Sequence, residues 1–246
     1  MNEVRASVAM AVYNGEKYIR EQINSIISLL GPSDELIISY DKSTDHTLDI
    51  IKSYEEKDCR IKTVLNIYKP GVSGNFTNAV SHTRGKYIFL SDQDDIWLND
   101  KINRVVEEME RTSADLVIHD GRFANENLEL YEETLFVFTN SSKSPFKNFI
   151  KGRFLGCCMC FRREAMSYIL PFPDITNDFP HDIFAAIMVG IKGKVVLVDD
   201  VCIYHRMHGG NATPKNRNRL FVIVLNRLIL FICIISRLLR NKGFYK

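Results

Sequence analysis

The stretch Tyr87-Ile88-Phe89-Leu90-Ser91-Asp92-Gln93-Asp94-Asp95-Ile96-Trp97 decides how the chain is read. Its first four residues are uniformly apolar, as in a strand covered on both faces of a sheet. The strand then runs directly into three carboxylates within four residues. Such crowding disfavours ionisation unless a cation sits among them. An all-oxygen set suits Mg²⁺ or Mn²⁺, ions that complete their shells with phosphate and water. There they bridge a diphosphate and neutralise its charge as it leaves. Acidic residues also cap helices, and Asp95 or Asp100 could do so for a helix around Lys101 to Glu110.

Toward the N-terminus the same grammar repeats. Ser7 to Val12 is an apolar run ending at Tyr13-Asn14-Gly15, a strand followed by a loop. From Glu16 to Leu30, Tyr18, Ile19, Ile23, Ile26, Ile27 and Leu30 fall at helical spacing, and Gly31-Pro32-Ser33 ends it. Glu35 to Tyr40 reads as a second strand, closed by Asp41-Lys42-Ser43-Thr44-Asp45. Thr47 to Tyr54 reads as a helix, Ile61 to Asn66 as a third strand and Asn75 to Ser81 as a third helix. Strands and helices alternating over short connections predict an α/β fold with a mostly parallel sheet flanked by helices. Ligands of such sheets bind beyond the carboxyl ends of the strands, where Asp41 and the Asp92 to Asp95 cluster lie.

Beyond Thr112 the pattern is less regular. Leu116 to His119, Gly156 to Phe161 and Val195 to Val198 read as strands, and His181 to Gly190 as a helix closed by its glycine. The expected organisation is a nucleotide-binding half over residues 1–112, an acceptor half of the same domain over 113–215, and a basic C-terminal helix within 216–246.

Composition narrows the function classes. The 246 residues suffice for one large core. The net charge of +2 conceals an uneven distribution. Nine basic and no acidic residues follow Val201, which leaves 23 basic against 30 acidic residues before it. A basic tail on an acidic body points to a polyanionic partner. Met1 to Ala11 lacks the pattern of a signal peptide. Cys157 and Cys160 form a CxxC spacing without a second pair, so the six cysteines are expected as buried thiols without chemistry.

The tail itself is informative. At 100° per residue from Arg219, Asn226, Arg227, Arg237 and Arg240 share an arc of roughly 140°, and apolar residues fill the rest. Asn226 and Arg227 interrupt the apolar run Leu220 to Ile235, which falls short of the ~20 residues of a spanning helix. A basic amphipathic helix lying in a membrane interface fits. The alternative is docking on the protein's own core or on a second copy in a homodimer. A nucleic-acid binder would interleave aromatics with the cations, and Phe231 and Phe244 are too few.

Taken together, the motifs resemble the family 2 glycosyltransferases, in particular bacterial rhamnosyltransferase-like members. The resemblance rests on Val8 to Glu16, on Asp41 to Asp45, on Leu90 to Trp97, on His181-Asp182 opening a helix, and on Arg206 to Asn211. These stand in the family's order across roughly residues 4 to 213. The resemblance implies a GT-A fold and an inverting transfer of a sugar, rhamnose or another hexose, from a UDP- or dTDP-linked donor. The acceptor it implies is a saccharide, lipid-linked, of a growing cell-surface polysaccharide, with the enzyme peripheral on the cytoplasmic face of the cell membrane.

Residue by residue, the resemblance implies that Tyr13 packs on the base and Asp41 hydrogen-bonds it, though Tyr40 and Lys42 replace the usual neighbours. Asp94 is the direct metal ligand, and Asp92 holds the ribose or a metal-bound water. Asp182 is the catalytic base and His181 orients the acceptor. Arg206 faces the diphosphate and His208 completes the metal shell. Local chemistry leaves open Tyr13 as a turn aromatic and Arg206 as a solvated loop residue, and taken by itself favours Asp182 as a helix cap. Arg84 and Lys101 are lesser phosphate or packing candidates. Two other classes compete. A nucleotidyltransferase also sets aspartates on such a sheet, but would show a glycine-rich basic phosphate loop that Tyr13-Asn14-Gly15 is not. A non-catalytic nucleotide-sugar-binding protein would keep Asp182 remote from Asp94.

Overall fold

The computed structural model describes residues 3–240 apart from 99, 142–143, 145–146, 148–153, 176–178 and 210–219. The N-terminal elements follow in strict alternation: β1 (Ala6–Val12), α1 (Ile19–Ile27), β2 (Asp34–Tyr40), α2 (Thr47–Glu55), β3 (Ile61–Leu65), α3 (Val72–Ser81) and β4 (Tyr87–Ser91). The apolar spacing produces them as expected. Ile19, Ile23 and Ile26 form the buried stripe of α1, and β4 is buried at every position. These four strands pair in parallel in the order β3-β2-β1-β4, with Val8 opposite both Leu36 and Phe89.

The later elements are β5 (Ile96–Trp97), α4 (Lys101–Thr112), β6 (Leu116–Ala124), β7 (Leu130–Thr134), α5 (Leu135–Thr139), β8 (Met159–Arg162), α6 (Met166–Ile169), α7 (His181–Lys192), β9 (Val195–Arg206) and α8 (Leu220–Arg240). They extend one nine-stranded sheet, in the order β4-β8-β6-β9-β5 with β7 added beside β6. Here pairing is mixed. β8 runs antiparallel to both β4 and β6, β9 is parallel to β6, and β5 is antiparallel to β9. Four expectations shift. α7 runs on through Gly190 to Lys192, and Gly193, not Gly190, closes it. Gly156–Cys158 is a 3₁₀ turn leading into β8 and not part of the strand. β6 and β9 both run past their expected ends, through the polar Asp120-Gly121 and Asp199-Asp200, because their mutual register slips near Asp120 and so absorbs the irregularity. The core is continuous across the expected halves: Val8, Phe89, Leu90, Ile118, Phe161 and Phe184 are all fully buried.

Helix α8 docks against the body through Leu230 and Ile234, which are buried. Arg237 donates to the Leu170 and Pro171 carbonyls and lies over the Phe184 ring. Its arrangement reverses the simple amphipathic picture. The polar arc, with Arg227 and Arg237 on it, turns toward the protein. Val224, Leu225, Leu228, Phe231, Ile232, Ile235 and Leu239 are exposed on the outside. Among the described residues no helix is long and apolar enough to cross a membrane. The thiols are all free: Cys157, Cys158, Cys160 and Cys202 are buried as expected, but Cys59 is exposed.

Candidate active site

Because β1, β2 and β4 are parallel, their carboxyl ends emerge along one edge, and the loops that follow converge there. They border a cavity of about 780 Å³ lined by Tyr13, Asp41, Lys42, Asn66, Gly71, Asp92, Gln93, Asp94 and His205, among others. Tyr13 projects into this space more than half exposed. Its backbone is held by the Gln93 side chain, which accepts from the Tyr13 N–H and donates to its carbonyl, both at 2.9 Å. Gly15 is required at that junction, since a Cβ there would lie 2.5 Å from Gln93 Oε1. Asp41 is buried, and its two oxygens accept from Asn66 Nδ2 (2.7 Å) and the Gly71 N–H (2.9 Å). Ser43 and Asp45 tie the second loop back to Asn14 and Glu16.

The acidic loop brings Asp92 and Asp94 to the same cavity. Burial, and then the charges of Asp95 and Asp94, push Asp92 up to about 8. Asp94 is also raised by burial and by Asp95, and is opposed by His208, whose Nε2 lies 2.8 Å from Asp94 Oδ2. Repelling carboxylates beside an imidazole nitrogen form a donor set that fits a divalent cation. Asp94 and His208 would hold it, with Asp92 alongside.

Asp95 faces away from the cavity and is fully buried. Its Oδ1 accepts from His205 Nδ1 (2.8 Å) and from the Arg206 N–H (3.2 Å). Burial opposes charge on His205, but Asp95, helped by Asp92 and Asp94, outweighs it and pushes the imidazole up to about 9. The same pairing holds Asp95 below the usual carboxylate range against its burial. Cys157 Sγ lies 3.9 Å from His205 Nδ1, and contact with Cys158 and burial keep that thiol protonated. His205 thus joins the cavity wall to the back of the acidic loop. No motif marks it; its only sequence signal is a lone histidine in the alternation of Ile203, Tyr204 and His205.

The other expected residues take distinct places. Asp182 stands in the first turn of α7, half-buried, with Oδ1 accepting from the Ile183 N–H at 2.7 Å. It lies within electrostatic reach of Asp92. Gly156 packs between this turn and the end of β4: a Cβ there would press on His181 Nε2 at 3.3 Å and meet the Asp182 Cβ (3.7 Å) and the Leu90 side chain (3.9 Å) at ordinary contact distance. His181 packs inward, stacked on Phe76 (5.0 Å) and edge-on to Phe172 (5.5 Å), and burial holds it neutral. Arg206 is 3% exposed and does not line the cavity. Its guanidinium donates to the carbonyls of Asp94 (3.0 Å) and Glu126 (2.8 Å) and to the Glu21 carboxylate, and lies over the Tyr18 ring. Arg84 pairs with Glu35. Lys101 is fully buried, donating to the Cys157 carbonyl at 2.9 Å with its ammonium over the Trp97 ring, which is a packing role. Gly210 and Asn211, at the end of the Arg206 to Asn211 stretch, lie outside the described residues.

Comparison with known proteins agrees with this architecture. The model of the family described as "Glycosyl transferase family 2" matches residues 7–170. The chain is 27% identical over 178 residues, 72% of its length and 68% of the relative's, to the Escherichia coli UDP-Glc:alpha-D-GlcNAc-diphosphoundecaprenol beta-1,3-glucosyltransferase WfgD. In three dimensions it resembles Staphylococcus aureus TarS 1-349, solved with UDP-GlcNAc (TM-score 0.69, 17% identity, 98% of this chain and 73% of that one). It also resembles the Pyrobaculum calidifontis mannosyltransferase PcManGT, solved with GDP-Man and Mn²⁺ (TM-score 0.61, 17% identity, 96% and 64%). The last two likenesses establish the GT-A fold.

Proposed function

The chain belongs to glycosyl transferase family 2, and from that premise we propose that it is a metal-dependent, inverting hexosyltransferase. Its donor is a UDP- or dTDP-sugar, and its acceptor a lipid-linked saccharide of a cell-surface polysaccharide. The observation that carries this reading is the convergence of Asp92 and Asp94 on one cavity, with His208 against Asp94 and Asp182 in electrostatic reach of Asp92. A non-catalytic binder has no use for the last of these.

Tyr13 and Asp41 border the part of the cavity suited to the base, and Asp92 the part suited to the ribose. Asp94 and His208 would hold a Mg²⁺ or Mn²⁺ ion, which would neutralise charge on the departing diphosphate. The Asp182 carboxylate accepts the proton of an acceptor hydroxyl while that oxygen bonds to the anomeric carbon. The bond from that carbon to the diphosphate breaks on the opposite face, so the nucleoside diphosphate leaves and the anomeric configuration inverts. Residues 113–215 supply the acceptor side.

The outward apolar face of α8, flanked in sequence by Arg217, Arg219, Arg240 and Lys242, suits the anionic surface of the cytoplasmic leaflet. WfgD's undecaprenol-linked acceptor supports placing this chain there as well. Base preference separates the donors. The Leu90 to Trp97 stretch resembles rhamnosyltransferases and favours dTDP-rhamnose, and WfgD favours UDP-glucose. Calorimetric titration with UDP and with dTDP, with and without Mn²⁺, tests the proposal. Metal-dependent binding of one of them is expected, and no binding of either by folded protein overturns it.

A further inference from the structure

The inward arc of α8 carries a guanidinium, that of Arg227, whose buried Nε has no hydrogen-bond partner among the described residues. Arg237 fixes the helix through the Leu170 and Pro171 carbonyls, and Leu230 and Ile234 seal it to the body. Arg227 lies ten residues earlier, about 15 Å along the axis and on the same side of the helix. It is half-buried. Its Nε is shut off from solvent without a hydrogen-bond partner among the described residues. The charge it senses is that of Asp182. Other arginines withdrawn from water are satisfied: Arg162 ends on the Ala114 and Met109 carbonyls, Arg163 on Gly85 and Thr83, and Arg206 on Asp94, Glu126 and Glu21. A guanidinium left unpaired in this way is costly unless a ligand completes it, and its planar fork matches phosphate oxygens.

Two placements say which phosphate. Arg227 does not border the nucleotide cavity, whose wall is formed by the β1, β2 and β4 loops, α3 and His205. Its helix packs instead against α7, whose first turn carries Asp182, the residue that faces the incoming hydroxyl, and Arg227 lies within electrostatic reach of it. Within one turn of it, Val224, Leu228 and Phe231 expose an apolar outer surface. An anion attached to a long hydrocarbon chain satisfies the guanidinium and the apolar surface beside it at once. We propose that Arg227 binds the phosphate or diphosphate of a lipid-linked acceptor, setting its sugar hydroxyl against Asp182. The proposal rests on the transferase reading and names a binding residue for it.

The test uses the full chain, saturated with UDP and Mn²⁺ so that the donor cavity is closed to other phosphates. Geranyl diphosphate is then titrated by calorimetry into wild type, Arg227→Gln and Arg227→Lys. The glutamine variant should bind it about 10- to 100-fold more weakly, and the lysine variant should fall between the two. UDP affinity should be equal in all three, as should flotation with phosphatidylglycerol vesicles. Unchanged geranyl diphosphate binding in Arg227→Gln overturns the proposal. So does an equal loss of UDP affinity, which would assign the guanidinium to the donor. Loss of flotation alone would assign it to bulk lipid headgroups and overturn the proposal too. Failure of wild type to bind UDP would instead strike the transferase reading. The lysine variant, which keeps the charge, guards against a folding defect in the glutamine variant.

Discussion

Replacing Asp95 by Asn leaves an oxygen to accept from His205 and the Arg206 N–H but removes the charge that holds His205 protonated. The size of the effect follows from the imidazole. Raising it from 6.5 to about 9 corresponds to roughly 3 kcal/mol of stability. Because the shift is upward, this contribution is complete below about 6.5 and is lost as pH rises through about 9. Asp92, pushed up to about 8, adds a loss of the same sign over its own range, and the variant relieves that loss too. Lys101, lowered by burial, works in the opposite direction in both proteins; Asp95 counters that lowering, so its loss lowers Lys101 further in the variant and adds to the gap at pH 6.5. Urea unfolding in EDTA, followed from pH 6 to pH 10, should show Asp95→Asn weaker by roughly 2–4 kcal/mol at pH 6.5, with the gap closing by pH 9–10. A gap below about 1 kcal/mol at pH 6.5, or one that widens with pH, would refute the assignment of His205 and Asp95 as a buried ion pair.

Asp94→Ala and Asp182→Ala should each lower transfer by about 10³-fold or more, and only Asp94→Ala should weaken Mn²⁺-dependent nucleotide binding. Equal nucleotide affinity in Asp94→Ala and wild type would remove Asp94 as a metal ligand. Lys101→Met should leave UDP affinity unchanged, since the ammonium is enclosed by Trp97 and the Cys157 carbonyl. It should also remove a contribution that grows as pH climbs toward 10.5, so the variant's stability falls more steeply than that of wild type above pH 9. Leu230→Ala should cost about 2–4 kcal/mol in urea unfolding if α8 melts together with the body, and a loss confined to early proteolysis of α8 would show it to be a separate unit.

The legible part of the fold was the part in which neighbours in sequence are neighbours in the sheet. β1 to β4 follow one another through single helices, so periodicity alone placed Asp41, Asp92 and Asp94 on one edge. β8 defeated that logic, because an antiparallel strand inserted between β4 and β6 leaves no periodic mark. The ends of β6 and β9 were obscured by Asp120 and Asp199, polar residues that a register slip accommodates. His205 stayed hidden because its role depends on a partner 110 positions away. Helix α8 was readable as amphipathic, but which arc meets the protein depended on Leu170, Pro171 and Phe184, which periodicity does not reveal.

Arg206 fastens together segments that are distant in sequence. Through Asp94 it grips the loop after β4, through Glu126 the turn before β7, and through Glu21 the helix α1. Tyr18 lies beneath its guanidinium and against the His208 ring at 4.6 Å. Local opening therefore cannot release the Asp94 loop without releasing the 206–208 segment. Amide hydrogens on the two should exchange with one shared free energy, as a single cooperative unit. The spacing of Asp94 and His208 that an ion between them would meet changes only when that unit opens, so its affinity is a property of the fold as much as of its ligands.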